Sequence, residues 1–395
     1  MARARGPTPF RFPTVRPAVP EPGDWLPYLR ESYERHWFTN FGPVATRFEA
    51  ALAAQFGEAD DAFVAASSAT AALAACLIAE GVRGTVLVPA FTFPASAAAI
   101  RMAEAEPALI DVDPASWACD LASLERGLDR TGAKAVMLVA PFGITQDFSR
   151  HVALCEARGA VVIVDNAAGL GGGGRARRAL RGTAYEVYSL HATKPFALGE
   201  GGAIQGPRDR VERLRSALNF GLPWEANRSG GRGINGKMPE VSAAIGMAVL
   251  ADYPDTLVAR RRQARRYIEM MGRFDGVSIC RSLGALPWQV FPCLMPSARA
   301  ADTVTAALVR RGLEARRYYR PSLTRWGGIA AVDDCPVSED LAERMVCLPI
   351  YSDASAPEIT EMHGVVDASF AAALPVSAQR RSRSIADVAY SSVAS

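Results

Sequence analysis

From Phe63 to Asp165, short apolar runs alternate with helical patterns, and nothing else in the chain limits its fold as tightly. Phe63–Ser67 leads into a helical stretch from Thr70 to Glu80. Thr85–Pro89 leads into one near Ala95–Ala105, and Ala108–Val112 into one near Leu121–Leu128. Ala135–Ala140 leads into one near Phe148–Arg158, and Val161–Asp165 follows at once. The runs are continuously apolar, which suits strands covered on both faces. Strand and helix in turn, with short links, predict right-handed crossovers and an open α/β sheet. In such a sheet, ligands bind at the carboxyl ends of the strands.

After Gly206 the pattern changes. Residues 207–220 and 239–271 read as helices. The second carries Arg260, Arg261, Arg262, Arg265 and Arg266, a cluster expected to form a solvated face. From about Gly276 to Asp367, the order strand, helix (Ala300–Arg311), strand, helix (from near Pro357) predicts a smaller α+β domain. A chain of 395 residues is too long for one ordinary core. The expected division is a loose N-terminal arm over 1–22, a large domain over 23–255, a small one over 256–374 and a disordered tail over 375–395.

Several classes of function are disfavoured. A net charge of +3 on 395 residues does not suggest nucleic acid as a partner. The N-terminus has charge without an apolar core after it, so no signal peptide is read there. No run of about 18 uninterrupted apolar residues predicts a membrane span. The seven cysteines are scattered without a C-x-x-C pair. They predict a reduced, cytoplasmic protein with no zinc or other metal site.

Lysine is the informative residue. Lys and Arg total 44, yet Lys134, Lys194 and Lys237 are the only lysines. Arg cannot replace Lys where chemistry needs a deprotonatable amine, because guanidinium keeps its proton. Lys194 lies in Ser189-Leu-His-Ala-Thr-Lys194-Pro-Phe-Ala-Leu-Gly-Glu200-Gly-Gly202, where a strand (Tyr185–Leu190) enters a turn followed by glycines. A lysine at a strand end, beside backbone with little bulk, can enter a pocket and form an imine with pyridoxal phosphate (PLP). It can then move a proton once substrate displaces it.

That cofactor needs three more things. A carboxylate must face its pyridine nitrogen, and Asp165 ends the strand Val161-Val-Ile-Val-Asp165 at the ligand edge. A dianionic phosphate needs a cradle. Ser68, Ala69 and Thr70 stand at a strand-to-helix junction with free N–H groups, and Ser189 can add a hydroxyl. The ring needs an aromatic face, for which Phe93 is the candidate. His191 lies close to Lys194 in sequence and could assist proton transfer.

The order of these pieces resembles the DegT/DnrJ/EryC1/StrS family of PLP-dependent nucleotide-sugar aminotransferases. Thr39-Asn-Phe-Gly-Pro43 with Phe48-Glu49 resembles its N-terminal segment. Ser68-Ala-Thr-Ala-Ala-Leu73 resembles its phosphate loop, and Pro89-Ala-Phe-Thr-Phe93 its stacking loop. Asp165, Ser189 and Lys194 fall on its pyridine aspartate, phosphate serine and cofactor lysine. Gly199-Glu-Gly-Gly202 matches a glycine run. Asn235 with Lys237, ahead of Ala243-Ala244-Ile-Gly246, resembles the segment that reaches the neighbouring subunit's phosphate. Arg316-Arg-Tyr-Tyr319 and Leu348-Pro-Ile-Tyr351 resemble motifs of the small domain.

The resemblance implies fold type I: a mainly parallel sheet with helices on both faces, plus a smaller C-terminal α+β domain. It implies a homodimer with shared active sites, glutamate as amino donor and a keto group of a nucleotide-linked deoxy sugar as acceptor. Ser-Leu-His191-Ala-Thr-Lys and Asn235-Gly-Lys-Met favour C4 over C3. Two departures stand out. Ala69 replaces a usual Gly, and Ala168 replaces the Gln that usually contacts the cofactor's phenolic oxygen. Amination of a cyclitol or other non-sugar ketone stays open, as does a catalytically inactive PLP-binding regulator.

Overall fold

A computed structural model describes residues 10–144, 146–174, 185–222, 230–280 and 284–376. Its strands, in chain order, are β1 (Asp61–Ala66), β2 (Gly84–Pro89), β3 (Ala105–Ile110), β4 (Ala135–Val139), β5 (Val161–Asp165) and β6 (Gly173–Gly174). There follow β7 (Tyr185–Ser189), β8 (Gly202–Pro207), β9 (Gly284–Ala285), β10 (Val290–Leu294), β11 (Ala330–Ala331) and β12 (Met345–Pro349). Eight of them make one sheet in the order β1-β8-β7-β5-β4-β2-β3-β11. From β7 through β11 the neighbours run parallel, and β8 is antiparallel to both β1 and β7. β4 and β7 are buried along their whole length. This is the expected two-faced burial, and it explains why β4 reads as an unbroken apolar run, while in β7 the buried Glu186 accepts from the Asn166 amide.

Helices cover the sheet. Ala69–Ala79 and Ala95–Met102 pack together on one side, around a core that includes Val86, Val88, Met137 and Ile163. Leu121–Thr131 and Ser149–Ala157 cover the other, over Leu87, Val136, Leu138 and Val164. The fold is mixed α/β with a mainly parallel sheet, as the strand–helix alternation requires.

The 32-residue helix Glu240–Met271 spans both parts of the chain, so a boundary at 255 falls inside it. By length and composition it could cross a membrane. In the fold its first half packs against the helices Pro22–Glu34 and Pro43–Phe56. Gly246 lies so close to the Phe48 ring that a Cβ there would approach it to 2.7 Å. Glu240 is buried and caps Pro43–Phe56. Its carboxylate accepts from the N–H groups of Val44 and Ala45 and from the Ser32 hydroxyl.

Four expectations need correction. The arm is not loose from Phe12 on. Phe12 is buried in the C-terminal core and Thr14 bonds twice to Glu314, because the C-terminal part of the chain offers an apolar seat and paired polar groups. The Arg cluster is not simply a solvated face. Arg260 is 5% exposed, and Arg261 donates to the Leu286 and Gly171 carbonyls. The glycine run Gly171–Gly174, whose composition reads as a flexible loop, is not all loop, since β6 pairs with β9. The C-terminal region holds a helix that periodicity did not reveal, Pro336–Arg344, whose first N–H groups are capped by the buried Asp111 carboxylate. The expected tail lies outside the described residues from 377 on.

Candidate active site

Asp165, Ser189 and Lys194 are delivered by the carboxyl ends of strands. β5 ends in Asp165. Its parallel neighbour β7 ends in Ser189 and runs straight into Lys194. The turn that carries Lys194 is a closed hairpin: Leu190 N–H donates to the Gly201 carbonyl, Ala192 N–H to Gly199 and Leu198 N–H to Leu190. Gly199 sits at φ +96°, in the left-handed region that favours glycine. Lys194 N–H donates to the His191 carbonyl, which closes the turn beneath its own side chain.

These elements surround a cavity of about 340 Å³. Lys194, Asp165, Ser189 and His191 line it. So do Ser68, Ala69, Thr70 and Phe93. Ser68 caps the helix Ala69–Ala79 by accepting from the Ala71 N–H, which leaves the helix start facing the cavity. Gly202 at the start of β8 presses on this turn. A Cβ there would stand 2.5–2.6 Å from the Ser68 carbonyl and the Ala69 nitrogen. Phe93 is 54% exposed at the cavity rim. Phe142 and Tyr319, which also line the cavity, stack at 5.1 Å with an 8° tilt.

Asn235 is not in this cavity. It is exposed, and its side-chain oxygen accepts from Lys237 Nζ at 2.8 Å, while Lys237 lies over the Phe220 ring at 4.3 Å. The segment nevertheless adjoins the phosphate-type turn, because Ser67 N–H donates to the Gly236 carbonyl and Lys237 bridges to Ala66.

Electrostatics distinguish the two charged groups. Burial pulls the Lys194 amine down to about 8, against the opposing charge of Asp165. A free-amine fraction therefore exists near neutral pH, as a nucleophile or base requires. Burial pushes the Asp165 carboxyl up. The Ser96 hydroxyl at 2.7 Å, the Lys194 charge and the Ala167 N–H oppose the rise. His191 Nδ1 pairs with Thr193 Oγ1 at 2.9 Å, and its Nε2 stands 3.5 Å from Glu200 Oε1, so its ring is held at the rim. Ala168 also lines the cavity and brings no polar atom of its own side chain.

Sequence reading gave no site role to four residues here, two of which, Arg316 and Tyr319, it named only within a motif of the C-terminal region. Ser96 is the first. A lone serine in the run Ala95-Ser-Ala-Ala-Ala, on a buried helix face, was a usable signal. Gln289, Arg316 and Tyr319 are the others, brought to the cavity by the C-terminal part of the chain. Among the described residues, no group of His, Cys, Asp and Glu could hold a metal.

Comparison with known proteins places this geometry. A model of the DegT/DnrJ/EryC1/StrS aminotransferase family matches residues 23–367. Protein Mb3436c of Mycobacterium bovis is 32% identical over 376 residues, 89% of this chain and 88% of its own length. A dTDP-4-amino-4,6-dideoxy-D-glucose transaminase of Shigella dysenteriae is 28% identical over 354 residues, 86% of this chain and 94% of its own. The crystal structure of DesI with its TDP-sugar product has a TM-score of 0.82 at 27% identity, over 92% of this chain and 95% of that one. The chain belongs to the DegT/DnrJ/EryC1/StrS aminotransferase family and is a PLP-dependent aminotransferase of fold type I.

Proposed function

We propose that the chain moves an amino group from glutamate to the keto group of a nucleotide-linked deoxy sugar, at C4 in preference to C3. One observation carries the assignment of roles. An amine lowered to about 8 and a buried carboxylate stand on neighbouring strand ends and face one cavity. The donor set fits PLP. The helix start at Ala69 with Ser68, Thr70 and Ser189 suits its phosphate. Asp165 suits its ring nitrogen, Phe93 its ring face and Lys194 its aldehyde.

When bound, PLP supplies an aldehyde that takes up the amino group and a ring that takes up the electrons released as a C–H bond breaks. The chain's own residues do the rest. In each half of the exchange Lys194 would carry a proton between the substrate carbon and the cofactor's C4′, away from the donor's α-carbon in the first half and toward the acceptor's carbon in the second. Asp165 keeps a negative charge against the ring nitrogen, which holds a proton there. Phe93 and the Phe142–Tyr319 stack exclude water from that side. Arg316 is the guanidinium lining the cavity, and we place the donor's carboxylate on it, since its planar fork matches a carboxylate. His191 at the rim serves the acceptor's hydroxyls or the proton relay.

The sugar acceptor rests on the relatives, one of which is named for a 4-amino-4,6-dideoxy sugar nucleotide. The homodimer rests on an apolar surface beside the exposed Asn235. Phe220 and Leu222 are more than half exposed there, and Trp37, Phe38 and Val241 lie bare nearby on the Glu240 side. A second copy covering this surface would bring its Asn235 toward the first copy's phosphate cradle. The seven cysteines are free, which suits a reducing cytoplasm.

The test is direct. The amine-loaded enzyme is mixed with 3-keto and 4-keto nucleotide sugars and with an inositol-type ketone, and return of the PLP absorbance is followed. The 4-keto nucleotide sugar should restore it fastest. Restoration by the inositol-type ketone alone would replace the sugar reading. No spectral change with glutamate would favour a regulator.

A further inference from the structure

Lys194 is held by a side chain 95 residues further along the chain. Its Nζ donates to Gln289 Oε1 at 3.0 Å. The same carboxamide donates through Nε2 to the Thr193 carbonyl at 3.2 Å. Gln289 thus grips both the amine and the backbone beside it.

Gln289 is itself held firmly. Trp288 before it sits at φ +54°, a left-handed conformation that costs an aromatic residue about 1–3 kcal/mol unless the surroundings impose it. The surroundings are the buried Arg260. Its Nε donates to the Trp288 carbonyl at 2.9 Å, and its Nη2 to the Gln289 and Ile350 carbonyls at 2.9 Å each. Its Nη1 donates to the Ser352 hydroxyl at 2.7 Å. A charged side chain seldom enters a core to serve neutral acceptors alone. Here it fixes the backbone on either side of the Gln289 side chain.

We propose that Gln289 is a positioning residue that aims the Lys194 amine. This rests on Lys194 being the residue that carries the cofactor. A neutral amine has two N–H bonds and one lone pair. When Gln289 Oε1 accepts one N–H, the nitrogen can no longer turn freely at the end of its flexible stem, and its lone pair faces the cavity. An amide suits this task better than a carboxylate, which would add negative charge and keep the amine protonated. Asp165 from β5 is the charge that already raises Lys194. His191, Glu200 and Arg316 face the same cavity from the hairpin and the C-terminal part.

The experiment mixes PLP with cofactor-free enzyme and follows the absorbance change on capture, from about pH 6 to about pH 10. Gln289→Leu should slow capture about tenfold at every pH without moving the midpoint, because the amine loses its aim and not its environment. Gln289→Glu should raise the midpoint by about one unit or more. In turnover, Gln289→Leu should lower kcat and leave the KM for glutamate unchanged. Wild-type capture by the leucine variant, or an unmoved midpoint in the glutamate variant, would overturn the proposal. If the leucine variant does not fold, the midpoint of the glutamate variant decides alone. Lys194→Ala run in parallel separates the two readings: capture by that variant would remove the cofactor role of Lys194 itself.

Discussion

Gly202→Ala tests whether backbone contact builds the phosphate cradle. Gly202 stands where β8 is paired on both edges, with Ala66 of β1 and Ser189 of β7. A Cβ there would lie 2.5 Å from the Ser68 carbonyl carbon, 2.6 Å from the Ala69 nitrogen and 2.6 Å from the Ser68 oxygen. Unstrained carbon contacts run at about 3.5–4.0 Å, so one backbone must withdraw by about 1 Å. β8 is fixed by ladders on both sides. The Ser68–Ala69 turn is held by the Ser68 cap and the Ser67–Gly236 bond, so the turn is what moves. Overpacking of this kind costs about 1–3 kcal/mol. At about 1.4 kcal/mol per tenfold, strain relieved only by displacing the turn weakens phosphate binding by about 5- to 100-fold. Pyridoxamine phosphate is the right probe, because it cannot link to Lys194 and so reads the non-covalent contacts, the cradle among them. Gly206→Ala is the control. It lies on the same strand as Gly202, and its Cβ would meet only the Tyr185 ring of β7, at 2.7 Å. It should lower Tm and leave the pyridoxamine phosphate Kd unchanged. Wild-type binding by Gly202→Ala, or equal weakening by both variants, would refute the reasoning.

Lys194→Ala should cut transamination by about 10⁴-fold or more while Tm and the Kd for pyridoxamine phosphate stay near wild type, as kinetics and calorimetry would show. Ser96→Ala removes the hydroxyl that bonds Asp165, at about 1 kcal/mol, so the Asp165 carboxyl should rise further. The pH midpoint of the bound cofactor's absorbance bands should move with it. His363 is buried against Tyr267 at 4.5 Å, and burial pulls its imidazole down to about 4. The unfolded chain takes up this proton near pH 6.5 and the folded one only near 4, so stability is intact above 6.5 and falls between 6.5 and 4. The loss reaches about 3 kcal/mol, and His363→Phe should remove that part of the pH dependence in urea melts.

The alternating apolar runs made the sheet legible because parallel strands buried on both faces leave no other pattern. Element ends shifted where the chain bends for reasons no pattern carries. The stretch expected as one helix over Ala95–Ala105 stops at Met102, since Glu104 at φ +57° turns the chain so that β3 can begin at Ala105. Pro336–Arg344 was illegible because its start is capped from outside by Asp111, more than 200 residues earlier.

The site divides along the same line. Asp165, Ser189 and Lys194 could be read because strand ends place them, and strand ends are local features. Gln289 could not, because its place depends on Arg260, which periodicity assigns to solvent. The physical reason is that a guanidinium among unpaired carbonyls is stable where a guanidinium among aliphatic groups is not. The carbonyls of Trp288, Gln289 and Ile350 draw Arg260 inward, and the left-handed Trp288 turns the next side chain to the amine. Ala168 belongs to the same argument. Its side chain brings no polar atom to the cavity, and Gln289 supplies the polar contact to the lysine amine. Arg260→Met, which keeps the stem and removes the donors, should therefore reproduce the slowed PLP capture of Gln289→Leu. Capture at the wild-type rate in a folded Arg260→Met variant would show that Gln289 holds its place without the clamp.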